Sequence, residues 1–221
     1  VPPGPVDKAR GRNAEEADFM AEQKRSINDD VRAFKRDAIL DAALELFYER
    51  SYTGTTMDAV AERLSVTKPF LYGYFRSKSD ILAAIYEIVM NRIIVLLEDA
   101  GAAAMQPSSR LGRFLYDFAV ENMENQMIAA VFIQEEKNLN EENAASIRRR
   151  QGEFDRKLAA LIAEGIACGE FDEVDPQIAA MGVIGMVRWI QRWYRDDGRL
   201  TVDQIARIFS DMGLKSLGFR P

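Results

Sequence analysis

Thr55-Thr-Met-Asp-Ala-Val-Ala-Glu-Arg-Leu-Ser-Val-Thr-Lys-Pro-Phe-Leu-Tyr-Gly-Tyr-Phe75 contains two short runs of helical spacing with almost nothing between them. Thr55, with Asp58 three residues on, has the form of a capping box opening the first run, Met57 to Leu64. Ser65 and Val66 lead into the second, Thr67 to Phe75, with Gly73 inside it. A helix of about eight residues does not stand alone in water, so the pair must share a core. Val60, Ala61, Leu64, Val66 and Leu71 can supply that core if both helices turn the same face inward, which makes the segment a helix-turn-helix.

Helical spacing continues outward in both directions. Upstream, Ile39, Ala42, Ala43, Leu46 and Phe47 form one stripe. Downstream, Ile81, Leu82, Ile85, Ile88, Val89, Ile93, Leu96 and Leu97 run to the Gly101–Pro107 region, where Pro107 is expected to close the helix. New amphipathic runs follow from Ser109 and through Ile147 to about Gly169. Asp175-Pro176 opens a helix carrying Ile178, Met181, Gly182, Gly185, Trp189 and Trp193, because Asp caps free N–H groups and Pro fits the first turn. Thr201 and Gln204 form a capping box for a last helix. The reading is all-α, about nine helices and no sheet.

Residues 1–28 open Val-Pro-Pro-Gly-Pro and then mix charges without apolar periodicity, which reads as a disordered N-terminal tail. Residues 29–78 form a small helical unit, and residues 79–221 a larger one. The 221 residues are 48% hydrophobic, enough for a buried core, and no stretch approaches the roughly 18 uncharged apolar residues that would span a bilayer. The chain has no histidine, which excludes imidazole-based triads, proton shuttles and imidazole zinc sites. Cys168 is the single cysteine, so no intramolecular disulfide forms; it reads as a small buried hydrophobe, and a reducing cytoplasm is the expected compartment. No catalytic group, metal or cofactor is expected.

Net charge is -6, but it is uneven: residues 1–30 hold 5 basic and 7 acidic side chains, residues 31–80 hold 8 and 7, and residues 81–221 hold 16 and 21. Only the segment with the helix-turn-helix is not acidic, which suggests a different partner for it. The second helix of such a motif presents its N-terminal side chains to the major groove of DNA. Here Thr67, Lys68, Phe70, Tyr72 and Tyr74 are those side chains.

Arg36-Asp-Ala-Ile-Leu-Asp-Ala-Ala-Leu-Glu-Leu-Phe47, the Thr55–Val66 run and Thr67-Lys-Pro-Phe-Leu-Tyr-Gly-Tyr-Phe-Arg-Ser-Lys78 together resemble the N-terminal DNA-binding domain of TetR-type transcriptional regulators. The resemblance implies a three-helix DNA-binding domain followed by a larger helical ligand-binding and dimerisation domain. It implies that Thr56 and Lys78 meet phosphates and that Thr67 to Tyr74 is the recognition helix; on the spacing of that segment Lys68 is also expected on phosphate, and Thr67, Phe70, Tyr72 and Tyr74 at base edges or the walls of the groove. Ser51 and Ser65 stand where that family usually has glycine in left-handed turns, at about 1 kcal/mol each if the backbone is unchanged. The stretch from Asp175-Pro through Gly185-Met-Val-Arg-Trp-Ile-Gln-Arg-Trp-Tyr194 is similar to TetR-type regulators that respond to coenzyme A thioesters or related acids.

The larger unit is rich in aromatic and methionine side chains. Phe114, Phe118, Met123, Phe132, Trp189 and Trp193 are expected around an internal cavity, with Arg188 or Arg192 near its mouth to meet an acidic head. Glu135 and Glu136 are candidate partners of Arg188; as adjacent helical residues they diverge by about 100 degrees and make no catalytic pair. Arg148, Arg149 and Arg150 read as a solvated face. The expected protein is a homodimer on palindromic operator DNA, released by a small effector such as an acyl-coenzyme A thioester or apolar acid, and without a membrane partner. The competing classes are an all-helical carboxylate enzyme, which would need clustered acids, and a helical adaptor without DNA contact.

Overall fold

The computed structural model describes the backbone of residues 8–101 and 105–220. Among them there is no strand, and ten α-helices and one 3-10 turn follow in order. They are α1 (Lys8–Gly54), α2 (Met57–Arg63), α3 (Lys68–Tyr72), α4 (Lys78–Gly101), α5 (Pro107–Glu124), α6 (Gln126–Gln134), α7 (Glu141–Ala167), α8 (Pro176–Arg188), α9 (Ile190–Trp193) and α10 (Val202–Ser216), with the 3-10 turn at Glu136–Asn138.

Four boundaries differ from expectation. The expected tail is helical from Lys8 onward, and residues 1–7 lie outside the described ones. Lys8 to Asn28 is rich in Ala, Glu, Lys, Arg and Gln, which are strong helix formers whether or not an apolar stripe exists. The stripe reports burial, and from residue 27 onward, where burial is described, it begins at Ile39; Ile27, Val31 and Phe34 are all exposed. Pro107 opens α5 instead of closing α4, as suits a residue with no N–H to leave unpaired. The expected helix through Trp193 breaks at Trp189, where Arg192 N donates to Trp189 O at 3.1 Å in a tightened turn. Gly73 caps the end of α3 instead of lying inside it.

Other local signals act as read. Asp175 Oδ1 accepts from Gln177 N and Ile178 N, both at 2.9 Å, and Thr201 with Gln204 closes a reciprocal capping box. One continuous core links both parts of the chain. Ile39, Leu46 and Phe47 of α1 meet Val60, Leu71 and the start of α4, and α4 then carries Tyr86, Met90 and Ile93 into a cluster with Leu111, Phe114, Phe154 and Leu158. The α5–α10 crossing is close because Gly112 and Gly213 face it. A Cβ on Gly112 would meet Leu214 Cδ1 at 3.1 Å, and one on Gly213 would overlap Leu115.

Candidate nucleic-acid interface and effector cavity

The helix-turn-helix begins with two threonines in different roles. Thr56, not Thr55, caps α2: it is extended (φ -121, ψ 160), and its Oγ1 accepts from Ala59 N at 3.1 Å. Thr55 is fully buried, and its hydroxyl donates towards Leu46 O (3.0 Å) and Ser51 O (2.9 Å), tying the end of α1 to the start of α2. Arg63 grips Glu45 (2.6 Å) and Glu49 (2.8 Å), which fixes α2 along α1. Ser51 (φ 61) and Ser65 (φ 55) both adopt left-handed backbone where glycine would be unstrained.

Leu71 of α3 and Phe75 just beyond its end point into the core. Thr67, Lys68, Pro69, Tyr72 and Gly73 are exposed and make the outward face, while Phe70 and Tyr74 are half-buried with their rings tilted against each other at 5.2 Å. Lys68 pairs with the exposed Asp58 at 2.9 Å, a pair a phosphate could readily displace because both partners are solvated. A set of cations missed in the sequence lies alongside. Arg32, Lys35 and Arg36 of α1 sit over the rings of Tyr74 (5.9 Å), Phe70 (6.0 Å) and Phe75 (5.4 Å). Their recurrence three and four residues apart on one helix face was the available signal.

Lys78 does not face outward as expected. Its ammonium donates to Tyr52 O (2.5 Å) and Thr55 O (2.6 Å) and lies 4.0 Å from the centre of the Tyr52 ring, and burial lowers its pKa. Two backbone carbonyls at the α1–α2 turn hold the charge, and that of Tyr52 also accepts from Thr55 N at 3.2 Å. Thus Thr56, Thr67, Lys68 and Tyr72 share the outer surface, Phe70 and Tyr74 flank it, and Lys78 braces it from behind.

In the larger part of the chain, a narrow cavity of about 30 Å³ lies between α4, α5, α6 and α8, lined among others by Val89, Phe118, Asn122, Ile128, Phe132 and Arg188. That is room for about one or two waters. A wider groove of about 510 Å³ opens to solvent beside it, lined by Phe132, Gln151, Arg188, Trp189 and Arg192 among others. Phe132 and Arg188 border both spaces. Arg188 lies 5.7 Å from the Phe132 ring centre; burial lowers its pKa, opposed by the more distant charges of Asp155 and Glu136.

The expected lining therefore divides. Phe118, Phe132 and Arg188 meet at the cavity, and Trp189 and Arg192 meet Arg188 at the outer groove. Phe114, stacked on Phe118 at 5.7 Å and tilted against Phe154 at 5.9 Å, belongs to the solid core, as does Met123. Trp193 is 44% exposed and stacks on Phe209, away from both spaces. Cys168 is exposed, not buried, because it caps the solvent end of α7.

Glu135 is not the partner of Arg188. It is buried between the two parts of the chain, where its Oε1 accepts from Tyr52 N at 3.2 Å and its Oε2 from Asn138 Nδ2 at 2.6 Å. Tyr86 of α4 donates its hydroxyl to Phe132 O and stacks on the Phe132 ring at 4.4 Å. Helix α6 thus touches the cavity through Phe132 and the Tyr52–Lys78 brace through Glu135. Away from both spaces, Ile178, Met181, Ile208 and Met212 of α8 and α10 are exposed, and a Cβ on Gly182 would meet nothing. Among the described residues no group of three His, Cys, Asp or Glu could hold a metal, and no helix is long and apolar enough to cross a membrane.

Comparison with known proteins covers both parts of the chain. Residues 39–85 match the family model of bacterial regulatory proteins of the tetR family, and residues 104–217 match that of the tetracyclin repressor-like C-terminal domain. The HTH-type transcriptional repressor KstR2 of Mycolicibacterium smegmatis is 24% identical over 182 residues, covering 79% of this chain and 86% of that protein. The TetR family regulator PfmR of Thermus thermophilus superposes with a TM-score of 0.73 at 31% identity, covering 80% of this chain and 97% of PfmR. AibR, solved in complex with isovaleryl coenzyme A and operator DNA, superposes with a TM-score of 0.74 at 29% identity, covering 80% and 96% of the two chains. With the helix-turn-helix and the helical C-terminal part matched in order, this chain belongs to the TetR family of bacterial regulatory proteins; it is a DNA-binding transcriptional regulator and not an enzyme.

Proposed function

We propose that the protein is a cytoplasmic repressor that binds a palindromic operator as a two-fold dimer and is released by an acyl-coenzyme A thioester or a related apolar acid. Residues 29–78 are the DNA-binding unit and residues 79–221 the ligand-binding and dimerisation unit. The exposed faces of α8 and α10 pair across the two-fold axis, because two copies of one small motif are needed for specific binding. Thr56 and Lys68 meet phosphates, and Thr67 and Tyr72 enter the groove.

Arg188 is the observation that most supports the ligand class. A half-buried cation bordering both an apolar cavity and an open groove suits a ligand with an apolar tail inside and an anionic part outside. Trp189 and Arg192 on the groove extend that outer contact. AibR, which binds isovaleryl coenzyme A, shares the fold at 29% identity and favours the same class.

A cavity of about 30 Å³ is too small for any acyl group, so entry must part α6 from α5. Movement of α6 reaches Glu135, and through Tyr52 and Lys78 the seat of the recognition helix. A ligand shifts the equilibrium only by its differential affinity for the two arrangements. A coupling of about 1 to 3 kcal/mol weakens operator binding about 5- to 150-fold.

Titration of operator-bound protein with acyl-coenzyme A thioesters and free acids of several lengths, following DNA release and thermal stability together, tests this reading. Release by at least one thioester is expected, and Trp189→Ala should blunt the response while leaving operator affinity intact. If every compound leaves both readouts unchanged, the ligand class is wrong.

A further inference from the structure

Asn122 is out of character with its surroundings. It is 5% exposed, on the buried side of α5 beside Phe118 and Met123, and it lines the inner cavity. Its Nδ2 donates back to Phe118 O at 2.8 Å, which uses one of the two amide hydrogens. Its Oδ1 accepts from no group among the described residues, yet it is not sealed off: the fully enclosed, unpartnered side-chain polar atom among them is Arg110 Nε. The Asn122 oxygen therefore opens onto the cavity. An apolar residue would fill the position without this exposed acceptor, since a buried polar group without a partner is costly.

We propose that Asn122 is a specificity-determining residue that recognises a hydroxyl on the acyl part of the effector, so that the preferred ligand is a hydroxyacyl compound and not a plain fatty acyl chain. This rests on the reading of the cavity as an acyl site. A hydroxyl matches both free functions of the amide: its hydrogen goes to Oδ1 and its oxygen accepts the second Nδ2 hydrogen. Glu121 on the same wall, paired with Arg92 at 3.2 Å, repels a second carboxylate at this end. An ammonium would be desolvated among Val89, Ile93 and Ile128, at a cost a neutral hydroxyl avoids. The acidic head then lies towards Arg188, with the hydroxyl-bearing tail at α5.

The test uses the full-length protein. Butanoyl- and pentanoyl-coenzyme A are compared with their 3-hydroxy and 4-hydroxy counterparts by calorimetry, on wild type and on Asn122→Leu. In parallel, butan-1-ol and 1-chlorobutane at millimolar concentration probe the cavity without coenzyme A through thermal shifts. The expected result is that one hydroxylated thioester binds wild type about 10-fold or more tightly than its plain partner, and that Asn122→Leu removes or reverses the preference. If the thioesters bind wild type without preference for the hydroxyl, the proposal is overturned while the acyl-thioester reading stands. If no thioester binds but butan-1-ol stabilises wild type more than 1-chlorobutane does, the role of Asn122 holds and the thioester reading fails. If no compound binds, both fail. Wild type alone decides the first comparison should Asn122→Leu not fold.

Discussion

The helix-turn-helix and the cavity region handle polar groups in opposite ways. Around α2 and α3, cations and hydroxyls are tied to nearby partners: Arg63 to two glutamates, Lys78 to two carbonyls, Thr55 to the end of α1. Helices of 7 and 5 residues need such ties, because they are too short to hold themselves. Around α4 to α8, helices of 24, 18 and 27 residues have packing to spare, and Arg188 and Asn122 keep unsatisfied capacity. A DNA reader has to present one fixed shape, whereas an effector site has to gain from the arrival of its ligand. On the proposed reading, polar groups left incomplete belong to the part that takes the small molecule.

The largest expected effect breaks the contrast at its weaker side. Leu71 is fully buried in the small core, and Leu71→Ala should cost about 2 to 5 kcal/mol and abolish operator binding. Near-UV circular dichroism of the aromatic cluster around Phe114 and Phe154 should persist. Equal loss of both signals would mean that the two regions unfold as one unit.

Lys78→Ala comes next, because hydrogen bonds from a charged group contribute about 1.5 to 3 kcal/mol. With its ammonium on Tyr52 and Thr55, removal should lower operator affinity and stability together but leave the slope of log affinity against log salt unchanged. A slope smaller by about 1 would instead place Lys78 on a phosphate in the complex. Lys68→Ala, by contrast, should change the slope and leave stability alone.

Tyr86 sharpens the comparison from the cavity side. Burial drives its pKa far above the ordinary 10.0, so the folded state holds the proton where the unfolded chain releases it. The stabilisation is complete below about pH 10 and declines as pH rises beyond it, by up to about 1.4 kcal/mol per pH unit. Urea unfolding of wild type and Tyr86→Phe should differ by about 1 kcal/mol at pH 7, and the wild type should lose more stability than the variant between pH 9.5 and 11. Parallel curves would refute the buried hydroxyl.

The smallest effect is a gain. Ser65 holds φ 55 in the turn between α2 and α3, so Ser65→Gly should raise stability by about 1 kcal/mol or less. A calorimetric melting temperature that falls would show that the serine side chain makes a contact outweighing the strain.

All-helical architecture, the helix-turn-helix and the caps at Asp175 and Thr201 could be read from the sequence, because each depends on groups within about four residues of one another. The left-handed serines at 51 and 65 were legible only through the resemblance to TetR-type regulators, which usually carry glycine there. The cap expected at Thr55 falls to Thr56 because both are threonines, and only the neighbouring backbone decides which is buried. Periodicity predicted burial for Trp189 and Trp193 but could not tell an internal face from one left open on α8 and α9.

What the sequence by itself determined is therefore the all-helical architecture and the helix-turn-helix with the exposed Thr67, Lys68 and Tyr72 of its second helix. Tertiary structure alone decided the fate of Lys78, whose carbonyl partners lie 23 and 26 residues away, and of Glu135, whose partner Tyr52 lies 83 residues away. It also decided that Arg188 borders two spaces and that Asn122 lines a cavity. Helix formation is local and leaves a pattern along the chain, whereas satisfying a buried polar group depends on which distant backbone or side chain the packing brings within about 3 Å.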